Sequence, residues 1–439
     1  MTKDMIKQLV KENDIQFIRL QFVDIFGTMK NIAIAATELD RVLNNEQMFD
    51  GSSIEGFVRI EESDMYLRPD INTFAILPWF KEYKIARMIC DIYRPNAQPF
   101  DGDSRYILQR AINEAKEMGY DFFVGPECEF FLFQTEPNDV LTTNTTDQAS
   151  YFDLAPIDNG EIARIDMVKN LIDIGFKIEA AHHESAPGQH EIDFKYSDAL
   201  NAADNIVTFK FVVKTIAKKH NLHATFMPKP LNNEAGSGMH CNMSLFKDGK
   251  NAFYDPETKD GLSKEAYYFV GGLLKHAKGM TAITNPLVNS YKRLVKGYEA
   301  PVYIAWSFAN RSPLVRIPVS RGDGTRIELR HPDPSCNPYL ALAVILTAGL
   351  RGIKEKIEPP NPIDKNIYNL TDEQLLASGI EKLPETLKDA LDELMKDELI
   401  KDSVGSHIIH NYTKAKKIEW DEYTNYIHPW ETERYLRLY

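Results

Sequence analysis

Apolar and polar positions alternate with two different periods in the first hundred residues. Met5, Ile6, Leu9 and Val10 fall at helical spacing behind Thr2, a residue suited to capping, and predict a short amphipathic helix. From Ile15 the period drops to two: Ile15, Phe17, Arg19 and Gln21 alternate with Gln16, Ile18, Leu20 and Phe22. The turn Asp24-Ile25-Phe26-Gly27 then leads into a second strand over Met29 to Ala35, which makes a hairpin. A further strand is predicted from Ile85 to Tyr93, so residues 1–103 read as a small mixed sheet with one helix.

Turn residues cluster at Arg94-Pro95-Asn96 and Pro99-Phe100-Asp101-Gly102-Asp103, and Ser104 is the expected cap of a long helix ending near Gly119. A domain boundary is therefore expected at 103. Beyond it, strands such as Phe122 to Phe133 alternate with helices such as Ala199 to His220 and Pro338 to Lys356, an α/β or α+β pattern for residues 104–439. Pro359-Pro360-Asn361-Pro362 reads as a stiff connector before a last helical section that includes 373–401.

Composition narrows the function classes. The 51 basic and 64 acidic residues leave a net charge of -13, which disfavours a nucleic-acid backbone or an anionic membrane surface as the main partner. Cys90, Cys128, Cys241 and Cys336 have no C-x-x-C spacing, which argues against a zinc ribbon or a disulfide framework and fits a reducing compartment. No signal core and no run of 18 apolar residues is present, so a cytoplasmic protein that neither spans nor binds a membrane is expected.

Four segments carry chemistry. In Pro126-Glu127-Cys128-Glu129-Phe130, two carboxylates two apart share one face of a strand; they either face solvent or are neutralised by a hard cation such as Mg²⁺ or Mn²⁺. Glu184 and Glu191 flank Pro187-Gly188, so a hairpin would bring them together. The intervening histidines lack H-E-x-x-H spacing, and His182, His183 and His190 are expected to be surface or hydrogen-bonding groups rather than ligands. Ala235-Gly236-Ser237-Gly238-Met239-His240 is a glycine-rich loop ending in a possible ligand, or an ordinary turn. In Arg326-Ile327-Glu328-Leu329-Arg330 a carboxylate lies between two guanidiniums on one strand face, which suits metal and phosphate binding as well as a salt-bridge ladder. Carboxylates, an imidazole and arginines together are what phosphoryl transfer requires, yet no P-loop occurs in the region.

The order Asp50-Gly51-Ser52-Ser53, Pro126-Glu127-Cys128-Glu129-Phe130, Lys229-Pro230 with Gly236-Ser237-Gly238-Met239-His240, Asn310-Arg311-Ser312 and Arg326-Ile327-Glu328-Leu329-Arg330 resembles bacterial type I glutamine synthetases, from about residue 15 to the C-terminus. The resemblance implies an α+β protein, an N-terminal β-grasp domain followed by a larger catalytic α/β domain. It implies ATP-dependent joining of glutamate and ammonia through γ-glutamyl phosphate, with two divalent ions, Mg²⁺ or Mn²⁺, per site. It also implies a homo-dodecamer of two stacked hexameric rings, with active sites between subunits and the Asp50 loop supplied by the neighbour.

By the same resemblance, Glu129, Glu184 and Glu191 hold one metal, and Glu127, His240 and Glu328 hold the other. Ala235, Gly236, Arg293, Glu299, Arg311 and Arg330 match glutamate-binding positions. Glu179, Tyr196, Asn242 and Ser244 match nucleotide contacts, and Arg311, Arg316 and Arg326 match phosphoryl contacts. Asp50, Ser53, Tyr151 and Glu184 match an ammonium pocket in which Asp50 takes the proton. Glu299 matches a flap that closes over the site.

Two departures stand out. Ala235 replaces an asparagine whose amide would contact glutamate, a role Asn233 could take, and Asn242 stands where some members carry a second histidine. An insertion of the adenylylated subtype is missing although Tyr368 lies near the matching position, so feedback inhibition by glutamine through Arg59 is expected instead, with nitrogen-responsive transcription regulators as further partners. The competing readings are a γ-glutamyl-amine (polyamine) ligase and a weakly active nitrogen-sensing scaffold.

Overall fold

The computed structural model describes the chain except residues 55, 57–62, 299, 309, 311, 365, 366 and 368–378 and the side chain of 139. Arg59, Glu299, Arg311 and Tyr368 therefore lie outside the described residues.

The first helix, Lys3–Glu12, is capped as its sequence predicts, with the Thr2 hydroxyl accepting from the Met5 amide. Ile6 and Val10 face the core and Met5 is exposed. Strands β1 (Phe17–Val23), β2 (Met29–Ala35), β3 (Gln47–Asp50), β4 (Asp64–Ile76) and β5 (Ile85–Tyr93) form a sheet in the order β2-β1-β5-β4-β3. The β1–β5 pair is parallel and the others are antiparallel. Ile18, Leu20 and Phe22 turn inward as the alternation requires. The sequence pattern missed β3, β4 and the short helix Leu39–Leu43. In β4, Pro69 and a register shift between Asp70 and Ala75 interrupt the alternation on which such a reading depends.

At the domain junction the cap is one residue earlier than expected. Asp103, not Ser104, accepts from the Arg105 amide at 3.0 Å, and its second oxygen accepts from the Ile92 amide at 2.9 Å. One buried carboxylate thus joins the end of β5 to the start of the helix Ser104–Glu117. Burial, with the nearby Asp91 charge, pushes it up to about 7.

The second sheet is built on β6 (Asp121–Glu136), with β7 (Val140–Thr145), β8 (Ile178–His183), β9 (Gln189–Phe194), β10 (Ser197–Asp198), β11 (Leu222–Thr225), β12 (Met239–Lys247), β13 (Lys250–Asn251), β14 (Trp306–Ser307), β15 (Val315–Arg316) and β16 (Ile327–Leu329). Its spine runs β14-β15-β16-β12-β6-β9-β8. The helices Ala199–Lys219 and Pro338–Glu355 carry long runs of buried apolar residues and form the core with the sheets. All four cysteines are buried and free.

The last helical section departs from expectation. Residues 379–386 are not helical, the helix Leu387–Lys396 begins behind the Thr386 cap, and Asp397 separates it from the helix Glu398–Asn425. Lys-, Glu- and Leu-rich composition does not reveal such internal caps. Among the described residues no helix is long and apolar enough to cross a membrane.

Candidate active site

Strand register assembles the site. β6 and β12 pair so that Glu127 stands opposite His240, β12 and β16 so that Asn242 stands opposite Glu328, and β6 and β9 so that Glu129 stands opposite Glu191. Since residues two apart share a face, Glu127 and Glu129 on β6 reach both clusters at once.

In the first cluster His240 Nδ1 lies 3.2 Å from Glu127 Oε2 and 3.9 Å from Glu328 Oε1. Asn242 donates to Glu127 Oε1 at 2.8 Å, Arg316 donates to Glu328 Oε2 at 2.8 Å, and Arg330 donates to Glu328 Oε1. Burial and the Arg330 charge hold His240 below its ordinary value, so the imidazole is kept neutral with a lone pair to offer.

The second cluster lies across the β8–β9 hairpin, where Gly188 adopts φ +67° at the turn. Glu184 and Glu191 converge there, with His182 3.5 Å from Glu184 and 3.4 Å from Glu191. The ligand atoms of His182, Glu184 and Glu191 all lie within 4.8 Å of one another, as do those of Glu127, His240 and Glu328. Glu129 stands beside them, accepting from the Gln189 amide at 2.8 Å and the Gly238 backbone at 3.0 Å. Burial and the Glu184 charge push Glu129 up to about 8 against the pull of Arg293 and Arg330. Burial and Asp193 likewise push Glu191 well above the carboxylate range.

Glu127, Glu129, Tyr151, Glu184, Glu191, Asp193, His240, Arg316, Glu328 and Arg330 line one pocket of about 490 Å³. A second, of about 390 Å³, is lined by Phe123, Glu127, Glu179, Asp193, Tyr196, Asn242, Ser244, Phe246, Asp323 and Arg326, so Glu127 and Asp193 border both. In the second pocket Arg326 donates to Asn242 at 3.0 Å and Ser244 to the Thr325 carbonyl at 2.9 Å, while Tyr196 is 61% exposed at the mouth.

Arg293 is 3% exposed and donates to the carbonyls of His331, Pro332 and Arg330, which makes it a brace for that segment. It lies against the glycine loop so closely that a Cβ at Gly238 would come 2.5 Å from its Nη2, and one at Gly236 would come 2.3 Å from the Pro228 carbonyl. Ala235 packs beside Phe131, Phe133, Ala186 and Leu231, an apolar setting for the missing amide. Asn233 is exposed.

Asp50 and Ser53 are exposed, and neither lines the acidic pocket of its own chain. The Ser52 amide and hydroxyl both donate to Asp50, which lowers its pKa. Tyr151 is 46% exposed and packs edge-on against His182 with ring centroids 5.6 Å apart.

The sequence reading set His182 aside as a ligand and did not single out Gln189 or Asp193. The signal was available: His182 with Glu184, and Gln189 with Glu191 and Asp193, are two apart on the same hairpin and so share its faces.

Residues 14–95 match the β-grasp domain of glutamine synthetase, and residues 101–435 match the glutamine synthetase catalytic domain. The chain is 60% identical over 439 residues to the glutamine synthetase of Clostridium saccharobutylicum, covering 100% of this chain and 99% of that one. It is 57% identical over 443 residues to that of Thermus thermophilus, again covering 100% and 99%. A solved GmaS–ADP complex superposes with a TM-score of 0.89 at 32% identity, covering 98% of this chain and 99% of that chain. The Plasmodium falciparum glutamine synthetase superposes with a TM-score of 0.88 at 28% identity over 99% of each chain. Two strand-borne clusters of carboxylate and imidazole groups between adjoining pockets, on a β-grasp domain followed by this catalytic domain, belong to an enzyme of the glutamine synthetase family, and the chain is a member of it.

Proposed function

We propose that this enzyme binds ATP in the 390 Å³ pocket and glutamate in the 490 Å³ pocket, and joins glutamate to ammonia through γ-glutamyl phosphate. The observation that carries this reading is Glu127 and Asp193 bordering both pockets, so that a phosphate at the shared wall would stand beside the acidic cluster.

The donor set fits divalent cations. Buried carboxylates that burial and mutual repulsion push upward, and a Glu191 Oε1 with no hydrogen-bond partner among the described residues, are what a hard cation would relieve. Glu127, His240 and Glu328 would hold one ion and Glu129, Glu184 and Glu191 the other, with His182 beside the second. Bound there, Mg²⁺ or Mn²⁺ supplies Lewis acidity that neutralises phosphate oxygens.

In the first step a glutamate γ-carboxylate oxygen attacks the terminal phosphorus of ATP and ADP leaves. Arg316, already turned toward Glu328, supplies positive charge for the transferred group, with Arg311 and Arg326 assigned to the same task, and Arg330, which also donates to Glu328, is assigned to glutamate. In the second step ammonia attacks the acyl carbon and phosphate leaves. Ammonium has no free lone pair, so Asp50, with Ser53, Tyr151 and Glu184, is assigned to attract it and take its proton. Glu299 is assigned to the flap that excludes water. Arg293, Gly236 and Ala235 shape the glutamate end, and Glu179, Tyr196, Asn242 and Ser244 the nucleotide end.

We further assign residues 1–103 and 104–439 to the two domains, a dodecameric assembly in the cytoplasm, glutamine feedback through Arg59, and nitrogen-responsive transcription regulators as partners. The deciding experiment follows phosphate and glutamine formation with ATP, Mg²⁺, glutamate and ammonium, repeated with added glutamine and with a panel of amines. Glutamine formation with ammonium alone, suppressed by glutamine, is expected; turnover only with larger amines would replace the reading with an amine ligase, and no turnover at all would leave the sensing scaffold.

A further inference from the structure

Behind the hairpin that carries Glu184 and Glu191 lies a buried polar cluster that touches neither pocket. Asp147, 7% exposed, is its most connected member. Its Oδ1 accepts from the Gly188 amide at 3.0 Å, from the Ala149 amide at 3.2 Å and from His183 Nε2 at 3.1 Å, and its Oδ2 accepts from the Thr146 hydroxyl at 2.8 Å. The other ring nitrogen of His183 lies 2.7 Å from the Glu184 carbonyl oxygen, so His183 bridges the carboxylate to the backbone of Glu184. The Phe152 amide donates to the His183 carbonyl at 3.1 Å, which places Tyr151 between two residues, Ala149 and Phe152, tied into the same network.

These bonds converge on three segments. Ala149 fixes the approach to Tyr151, Gly188 fixes the turn before Glu191, and His183 fixes the end of β8 at Glu184. Burial works against a charge on Asp147, but the donors from His183, Thr146 and Gly188 overcome it and keep the carboxylate ionised. An ionised hub with four donors is a stiff one, because replacing any bond means exposing a buried charge.

We propose that Asp147, acting through His183, is a positioning residue that sets Tyr151 and Glu184 at the spacing an ammonium ion requires. The proposal rests on the assignment of Tyr151 and Glu184 to ammonium made above. Asp147 reaches no substrate: Tyr151 and Glu184 line the acidic pocket and Asp147 does not. Its neighbour Asp158 belongs to the same cluster but serves a different purpose, accepting from Arg164 at 2.6 Å and the Gly160 amide at 2.8 Å at the start of the helix Glu161–Asp173. Asp158 is therefore the control for a merely structural role.

The test compares Asp147→Asn, His183→Gln and Asp158→Asn in the full-length enzyme. In Asp147→Asn the carboxamide oxygen still accepts from Gly188, Ala149 and His183, but the charge that strengthens those bonds and the acceptor for the Thr146 hydroxyl are lost, and the KM for ammonium is expected to rise by about tenfold with the KM for ATP unchanged. His183→Gln breaks the link from its other end and is expected to give the same selective rise. Asp158→Asn is expected to lower the unfolding temperature without separating the two KM values.

Amide hydrogen exchange supplies a readout independent of turnover: Asp147→Asn should speed exchange in residues 146–152 and 184–189 and leave β12 unchanged. A proportional rise in every KM, or a selective ammonium effect of equal size in Asp158→Asn, would overturn the proposal, as would unchanged exchange in those two segments. Wild-type enzyme without ammonium-dependent turnover would instead refute the functional reading, and the exchange result would still decide whether Asp147 holds the two segments.

Discussion

Glu129 and Gln189 show how the site balances charge one side chain at a time. Gln189 Nε2 donates to Glu129 at 2.8 Å and to the Gly236 carbonyl at 3.3 Å, so one amide orients a carboxylate of the acidic pocket and the glycine loop. Gln189→Leu keeps the volume and removes both bonds, along with the one its Oε1 accepts from the Ala186 amide; it should weaken Mn²⁺ binding by about tenfold and raise the KM for glutamate, which titration of the ion and steady-state kinetics would measure. Glu129 itself gives a pH signature. Burial lifts it from an ordinary 4.5 to about 8, so in the metal-free folded chain it keeps a proton that the unfolded chain has released. Between those values the folded state binds more protons than the unfolded one, and stability must fall as pH rises through the window. Thermal unfolding in a chelator is expected to show that decline, and added Mg²⁺ to flatten it; a metal-free protein whose stability rises from about pH 5 to about pH 8 would remove Glu129 as the responsible group.

At the scale of elements the β8–β9 hairpin is the part that cannot be altered cheaply. Gly188 has φ +67°, and a Cβ there would lie 2.8 Å from the Leu132 carbonyl oxygen, which accepts no compromise because the Gly188 carbonyl is bonded to the Leu132 amide. Gly188→Ala should cost about 2 kcal/mol from the left-handed backbone alone, with the clash adding to it, and urea unfolding would read the loss. The turn was legible in the sequence because Pro187-Gly188 sits between two alternating runs, and so were β2, β5 and the helix Ala199–Lys219, whose periodicity is unbroken. What was not legible follows from pairing across long stretches of chain. His240 meets Glu127 and Arg316 meets Glu328 only through strand register, and no local pattern states which strand lies beside β12. His182 was set aside because zinc spacing was absent, whereas the hairpin makes the relevant spacing two residues plus a partner across the ladder. The motifs that carry the family resemblance identified most of these residues before the fold explained why they meet.

Over the whole molecule the two domains are fastened by buried charge. Arg105 donates to Asp70 and Asp91 on the first sheet and to Asp204 on the helix Ala199–Lys219, at 2.6 to 3.0 Å, and Asn337 donates to the Asp24 and Ile25 carbonyls. That fastening ties the first sheet to its own catalytic domain, yet Asp50 at the end of β3 does not line the acidic pocket of the same chain. If Asp50 completes a neighbour's site, then two different inactive subunits must repair each other. Asp50→Ala removes the proton acceptor but leaves the acidic pocket whole; Glu184→Ala does the reverse. In a ring assembled at random from equal amounts of the two, a site works when an Asp50→Ala subunit supplies the pocket and a Glu184→Ala neighbour supplies Asp50, which recovers about a quarter of wild-type activity. The measurement is co-refolding or co-expression of the two variants, followed by ammonium-dependent turnover per subunit, against each variant alone. Activity that stays at the level of the separate variants, in oligomers shown to contain both, would mean that each subunit completes its own site and that Asp50 acts within its own chain.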